Sequence, residues 1–233
     1  GYFQESNIDN ENYKDEFSLK LQGGFLKGKG SLEINKLPLK VLNIFLDDPK
    51  DFKGGLDINL FYDIDTKSFL SNIYSNNASF NNNQIKFDKG IVNFNNSIFN
   101  IDFSLLLDDA IIPINFEGLI PLKRNENLDL RLNGNGRFIK LIDVFAEDYF
   151  EFKKGDVNIK MIIKGKLNKP ILNGFIVIKD SEVEFYNNIL SNLNSLIIFD
   201  FDYLNIKNLS ASVGEDGDLF MKGSLPFYSK RNS

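Results

Sequence analysis

The sequence predicts an all-β protein, and three observations lead to this fold class. Apolar and polar residues alternate over most of the chain, most clearly over residues 157–163. Clusters of Gly, Asn, Asp and Pro interrupt the alternation at short intervals, as turns between strands do. Only two stretches have the spacing of a helix, and both are short. We therefore expect a long sheet with one apolar face.

Composition limits the domain count and the kind of function. The 233 residues are 42% hydrophobic and 25% charged, which is typical of one or two globular domains. The net charge of -5 argues against a nucleic-acid partner, because phosphate binding needs a basic patch. The chain has no His, Cys or Trp, so it lacks the commonest general base and any thiolate ligand for a metal. No apolar run approaches the roughly 20 residues of a membrane-spanning helix.

In the first half of the chain, alternation predicts strands over residues 16–25, 31–35 and 56–64. Residues 67–84 are rich in Ser and Asn and alternate only weakly. Residues 90–105 give a strong hairpin signal, because two alternating runs flank an Asn-Asn turn.

In the second half, alternation predicts strands over residues 111–121, 128–132 and 157–163. A series of short strands then follows from residue 163 to residue 227. Turns containing Gly, Asn-Lys-Pro, Asp-Ser and Glu-Asp-Gly separate these strands.

Two short amphipathic helices are predicted, over residues 37–48 and 138–148. We expect them to pack into the core at repeat junctions; the alternative places them across a groove mouth or against a membrane surface. Their apolar positions are Leu39, Leu42, Phe45 and Leu46 in the first stretch, and Phe138, Leu141, Ile142 and Phe145 in the second.

The chain contains two copies of one unit of about 100 residues. Residues 41–48 align with residues 141–148, and residues 118–122 align with residues 223–227. Four further short matches keep the same order with little drift in spacing. The predicted organisation is a tail that is disordered or left from an expression linker (1–15), strands of a preceding partial repeat (16–36), repeat one (37–137), repeat two (138–227) and a polar tail (228–233).

Two runs in the second copy carry a family resemblance. Residues 165–183, Gly-Lys-Leu-Asn-Lys-Pro-Ile-Leu-Asn-Gly-Phe-Ile-Val-Ile-Lys-Asp-Ser-Glu-Val, resemble the G-x-L-x-x-P-x-L-x-G-x-I-x-L-x-x-G-x-V pattern of TamB-type (AsmA-like) envelope proteins. Residues 209–227 resemble that family's L-x-A-x-x-G-x-G-x-L-x-x-x-G-x-L-P-L pattern. The chain departs from these patterns at Asp180-Ser181, where Gly is usual, and at Asp216. The first copy lacks the Lys-Pro step.

The resemblance implies a curved, elongated β-sheet that forms a U-shaped apolar groove, a β-taco. It implies a piece of an intermembrane bridge protein that carries phospholipid acyl chains between inner and outer membranes. It places the protein in the periplasm or envelope intermembrane space, anchored in the inner membrane by a segment not present here. An Omp85-type outer-membrane protein is the implied partner. The family that the chain resembles includes cyanobacterial and plastid inner-envelope proteins.

Alternation and the resemblance together select the residues expected to line the groove. Phe is prominent among them, and 23 of the 233 residues are Phe. The alternative interpretation is that the same residues pack as a closed core. The predicted lining is Ile58, Leu60, Tyr62, Phe99, Ile101, Phe103, Val157, Ile159, Met161, Ile163, Phe175, Val177, Val183 and Phe185.

The sequence also contains features that suggest other functions. Acid pairs at 47/48, 108/109 and 200/202 raise the hypothesis of a β-solenoid carbohydrate-active enzyme, although Asp pairs in turns explain them better. Residues 214–218 are too short for an EF-hand calcium loop. We expect a protein that is not an enzyme and that holds no cofactor or metal. The alternative function is a structural role in outer-membrane protein assembly or in protein translocation.

Overall fold

The fold is all-β, as the sequence predicts. The computed structural model describes residues 17–23, 28–45, 49–80, 83–107, 112–123, 125–136, 150–186, 188–214 and 216–226. These residues form thirteen strands and one 3₁₀ helix, with no α-helix among them.

The chain divides into two compact units, Gly1–Asp109 and Ala110–Ser233. In each unit every strand pairs with the next strand in sequence, and the pairs described are all antiparallel. The first unit contains β1 (Ser18–Gly23), β2 (Lys29–Pro38), the 3₁₀ helix (Leu39–Phe45), β3 (Phe52–Asp63), β4 (Ser68–Phe80), β5 (Asn83–Asn95) and β6 (Ile98–Leu107). The second contains β7 (Ile114–Pro121), β8 (Asn127–Asn135), β9 (Phe150–Lys166), β10 (Lys169–Phe185), β11 (Asn188–Phe201), β12 (Tyr203–Val213) and β13 (Gly217–Pro226).

The predicted hairpin over residues 90–105 is confirmed. Asn95 pairs with Ile98, so only Asn96 and Ser97 form the turn between β5 and β6. Both turn residues have positive φ, 51° and 64°. Two positive φ values are the signature of a type I′ turn, whose twist matches that of the two strands.

Several strands are longer than their alternation predicts. The weakly alternating, Asn-rich stretch around residue 73 forms the thirteen-residue strand β4. Asn72 lies on the face opposite Ile73, whereas Ser71 and Ser75 share the face of Ile73. The pairing of β4 with β3 and β5 therefore outweighs its low strand propensity.

β-Bulges interrupt the ladders at residues with positive φ. Asn77, Asp180 and Asn192 have φ values of 50°, 42° and 51°, and each lies at a register shift. Each bulge adds one residue to one strand, so odd and even positions exchange faces across it. The amide of Asp180 donates a hydrogen bond to Asn194 Oδ1 at 3.2 Å, and this bond stabilises the bulge in β10.

The prediction of an amphipathic α-helix over residues 37–48 is wrong. Leu37 and Pro38 complete β2, and residues 39–45 form a 3₁₀ helix. The apolar positions 39, 42 and 45 recur every three residues, which is the period of a 3₁₀ helix rather than of an α-helix. Leu39 is buried and Ile44 is exposed, while Asn43 bonds both backbone groups of Lys50 to close the connection to β3. The second predicted helix, residues 138–148, lies outside the described residues.

Candidate functional site

The register of unit 1 places most of its paired apolar residues on one face. Residues directly opposite each other in adjacent strands point to the same side, so the pairings define this face without ambiguity. None of the paired residues on it is charged, although charged residues make up 25% of the chain. This apolar face of unit 1 comprises Leu19, Leu21, Leu32, Ile34, Leu37, Phe52, Leu56, Ile58, Leu60, Tyr62, Phe69, Ser71, Ile73, Ser75, Ala78, Phe80, Ile85, Phe87, Gly90, Val92, Phe94, Phe99, Ile101, Phe103, Leu105 and Leu107.

Aromatic rings form a continuous row on this face. Phe69, Phe94 and Phe99 come from three neighbouring strands, with ring centroids 5.4 Å apart for Phe69 and Phe94 and 4.8 Å apart for Phe94 and Phe99. Tyr62 continues the row, since it lies opposite Phe69 on β3. Its ring lies over Gly30, where an added Cβ would sit 2.2 Å from the Tyr62 hydroxyl.

Unit 2 has an apolar face of the same kind. Val157 and Val183 are its most deeply buried apolar members, with exposures of 0% and 1%. Its paired residues again include no charged side chain. This apolar face of unit 2 comprises Phe116, Gly118, Leu128, Leu130, Leu132, Gly134, Phe152, Val157, Ile159, Met161, Ile163, Gly165, Pro170, Leu172, Gly174, Ile176, Ile178, Ser181, Val183, Phe185, Asn188, Leu190, Leu193, Ser195, Ile197, Phe199, Phe201, Leu204, Ile206, Leu209, Ala211, Val213, Gly217, Leu219, Met221, Gly223 and Leu225.

Three serines on the two apolar faces direct their hydroxyls to the backbone. Ser75 Oγ accepts from the amide of Phe87 at 2.7 Å, and Ser181 Oγ donates to the carbonyl of Lys179 at 2.9 Å. Ser195 Oγ donates to the carbonyl of Asn208 at 3.0 Å. Each bond lies beside a register shift, so these hydroxyls stabilise bulges and add little polarity to the face.

Charged side chains lie on the opposite faces, where they pair across strands. In unit 2, Lys154 Nζ lies 3.0 Å from Glu182 and Lys164 Nζ lies 3.3 Å from Asp129. Lys153 contacts Glu151 at 2.6 Å and Glu184 at 3.1 Å. Hydrogen bonds to Glu151 and then to Glu184 raise the pKa of Lys153 above its usual value. Such exposed pairs contribute little stability, but they keep the charges on one side of the sheet.

Twelve of the fourteen predicted lining residues lie on the apolar faces. In unit 1, Ile58, Leu60 and Tyr62 on β3 and Phe99, Ile101 and Phe103 on β6 share one face. In unit 2, Val157, Ile159, Met161, Ile163, Val183 and Phe185 share the other.

Phe175 and Val177 lie on the opposite face of unit 2. Phe175 pairs with Lys160 and Val177 pairs with Asn158. The bulge at Asp180 separates them from Val183, and the exchange of odd and even positions puts Ile176 and Ile178 on the apolar face instead. Phe175 and Val177 instead form a small apolar patch with Leu196 and Ile198 on the opposite face.

The remaining candidates do not assemble into a chemical site. Asp200 and Asp202 are exposed and flank the turn at Phe201, while the other two acid pairs lie outside the described residues. No group of three or more carboxylates in the described part of the chain is placed to hold a metal ion. A shallow depression of about 190 Å³ lies beside the start of β7, the end of β8 and the middle of β9, with Asn133, Asn158 and Lys160 in its lining.

Comparisons of the chain with protein-family models, with curated proteins and with solved structures give no match. Within the described ranges, no helix has the length and apolar character needed to cross a membrane. The fold and the two faces define a class of protein: an all-β antiparallel chain in which each unit carries one face whose described, paired residues include no charged side chain.

Proposed function

We propose that this chain belongs to an intermembrane bridge protein and carries phospholipid acyl chains on its apolar faces. The observation that supports the proposal is that the described, paired residues of both faces include no charged side chain. Charges are common on the opposite sides of the same strands, so this separation is a property of the pattern and not of the composition.

The energetics of lipid transfer explain what such a face contributes. Exposing an acyl chain to water costs about 0.8 kcal/mol per methylene, so a chain of about sixteen carbons faces a barrier of roughly 12 kcal/mol. A surface of Leu, Ile and Phe replaces that water without any chemical step. Leu60, Met161 and Ile163 are only partly buried, as residues that contact a mobile ligand must be.

A tandem repeat is part of the proposal, and matching bulges support it. Gly54 lies against the bulge at Asn77 in unit 1, where an added Cβ would be 2.1 Å from the Asn77 carbonyl oxygen. Gly155 lies against Ser181 in unit 2, where an added Cβ would be 2.4 Å from the Ser181 Cα. Repeated apolar faces extend a lipid path without new chemistry, and a U-shaped groove is the shape we propose for that path.

The proposed setting follows from the same function. The chain works in the periplasm or an envelope intermembrane space, between an inner and an outer membrane. An Omp85-type outer-membrane protein is the proposed partner at the outer end.

Photo-crosslinking at two adjacent residues tests the proposal. Met161 lies on the apolar face opposite Leu132 and Gly174, whereas Lys160 lies on the other face opposite Asn133 and Phe175. A photoreactive residue at position 161 is expected to capture phospholipid in cells, and the same residue at position 160 is not.

Absence of lipid at position 161 in a folded protein would contradict the proposal. It would favour a closed apolar core, and a structural role in outer-membrane protein assembly or translocation would then be the better proposal.

A further inference from the structure

Two aromatic residues adopt strained conformations at the two ends of β11. Phe185 pairs with Asn188, so Tyr186 lies in the turn from β10 to β11. Phe201 ends β11 at the turn to β12. The φ values of Tyr186 and Phe201 are 47° and 56°. Bulky side chains seldom adopt positive φ, because their Cβ then crowds the backbone. Every other described non-glycine residue with positive φ is Asn, Asp, Ser or Lys.

Burial does not compensate for this strain. The side chains of Tyr186 and Phe201 are each 58% exposed, so most of their surface stays in water. The ring of Tyr186 contacts the ring of Phe185 with 4.7 Å between centroids, but Phe185 is itself 45% exposed. Glycine at either position would relieve the strain. Backbone strain that folding does not offset is typical of residues that serve binding.

The apolar face of unit 2 extends between these two residues. Phe201 belongs to this face, because it lies opposite Leu172, and Tyr186 directly follows Phe185, another member of the face. The fourteen residues of β11 separate the two turns by about 40 Å along the strand. The apolar residues that β11 contributes to the face between the turns are Leu190, Leu193, Ile197 and Phe199. The two aromatic residues therefore mark the limits of the face, where apolar surface meets polar turns.

We propose that Tyr186 and Phe201 bind phospholipid at the two ends of this face, each ring packing against the glycerol ester and the first methylenes of an acyl chain. The inference rests on the function proposed above. An aromatic ring suits that level of a phospholipid, because it buries a large apolar surface beside polar groups. Tyrosine is enriched at the same level of lipid bilayers. The aliphatic residues between the two turns then contact the rest of the chain.

Glycine substitution separates a role in binding from a role in folding. Tyr186→Gly and Phe201→Gly each remove a ring and relieve the strain, so we expect the urea midpoint to stay at or above that of the wild type. We expect the phospholipid bound per folded chain to fall roughly fivefold in each variant. The probe is fluorescent phosphatidylethanolamine in phosphatidylcholine vesicles, and size-exclusion chromatography separates the protein from the vesicles.

Control variants isolate the loss of the ring as the cause. Ser97→Gly relieves strain of the same kind in a turn of unit 1 without removing a ring. Phe61→Ala removes a ring that is 54% exposed on the opposite face of unit 1. Tyr186→Phe and Phe201→Tyr exchange one ring for another. All four variants are expected to bind as much phospholipid as the wild type.

The outcomes distinguish this inference from the proposed function. Glycine variants that bind as much phospholipid as the wild type would overturn the inference and leave the proposed function standing. A lower urea midpoint in both glycine variants would assign the rings to folding and would overturn the inference as well, as would an equal loss of lipid in Ser97→Gly or Phe61→Ala. A folded wild type that takes up no phospholipid would overturn the proposed function and the inference with it.

Discussion

Asp63 shows how a single carboxylate closes a connection between two long strands. Its Oδ1 accepts hydrogen bonds from the amides of Asp65 at 3.0 Å and Thr66 at 3.2 Å, at the turn from β3 to β4. The bond from the Thr66 amide is the largest of the causes that hold the pKa of Asp63 below its usual 3.8, and the charge of Lys29 adds to it.

The lowered pKa gives a prediction with a definite sign. A carboxyl whose folded pKa is depressed contributes stability above its unfolded pKa, and that contribution is lost as the pH falls through the folded value. We expect the free energy of unfolding to decrease below about pH 3.8 more steeply in the wild type than in D63N. Urea titrations at several pH values measure the difference; identical slopes would contradict the assignment.

Gly155 is the second residue whose local contacts determine a measurable effect. Its φ is +127°, and an added Cβ would lie 2.1 Å from Ser181 Oγ and 2.4 Å from Ser181 Cα. We expect Gly155→Ala to lower the free energy of unfolding by about 2–4 kcal/mol, because strain and overpacking add.

Gly223 provides the matched control for that substitution. It lies in β13, and an added Cβ there would meet nothing within 4 Å. Gly223→Ala should change the stability by less than about 0.5 kcal/mol, as surface substitutions usually do. Equal losses in the two variants would show that the contact with Ser181 is not the cause.

At the scale of an element, the β5–β6 hairpin depends on its two-residue turn. Ser97 adopts φ +64°, a conformation that costs a non-glycine residue about 1 kcal/mol. Ser97→Gly should therefore raise the free energy of unfolding by roughly 0.5–1 kcal/mol, and Ser97→Val should lower it, because the type I′ turn needs positive φ at both positions. Thermal unfolding of the three proteins checks the order; a less stable Gly variant would refute it.

The elements also show how far the sequence determines the faces. Alternation predicts Ile58, Leu60 and Tyr62 correctly as one set, because no bulge interrupts β3 between them. It fails at Phe175 and Val177, since the extra residue at Asp180 shifts every position before it by one. The Asp180-Ser181 pair predicts a turn between two strands, but β10 continues through it and the pair forms a bulge instead, so the sequence marks the position and only the register reveals the exchange of faces.

Phe69 and Phe94 were missed for a related reason. They belong to the aromatic row of unit 1, but Phe69 lies in an Asn-rich strand whose alternation is weak. The signal that would have found Phe69 is the pairing of β4 with the well-patterned strand β3, which places Phe69 opposite Tyr62. Phe94 could have been found from the predicted hairpin, in which it lies opposite Phe99.

At the scale of the whole molecule, absence of charge from one side of the strands has two physical explanations. A closed core excludes charge because burial without a partner is costly. A lipid-bearing surface excludes charge because an acyl chain offers no partner either. The two explanations differ in what a single added charge does to the folded protein.

Ile162 and Ile163 allow that difference to be measured with adjacent, identical and partly buried side chains. Ile163 lies on the apolar face between Leu130 and Leu172, whereas Ile162 lies on the other face between Arg131 and Asn173. If the face carries acyl chains, I163K should keep the fold and lose most of the bound phospholipid, because its ammonium group reaches water in the free protein. I162K should keep both.

Phospholipid bound per folded chain, together with the urea midpoint, distinguishes the explanations. In a closed core the lysine of I163K would be buried without a partner, and the loss of stability would be several kcal/mol. A folded I163K that retains lipid as well as I162K does would refute the proposed surface. An unfolded I163K beside a stable I162K would assign the charge-free face to the core and leave the lipid proposal without its supporting observation.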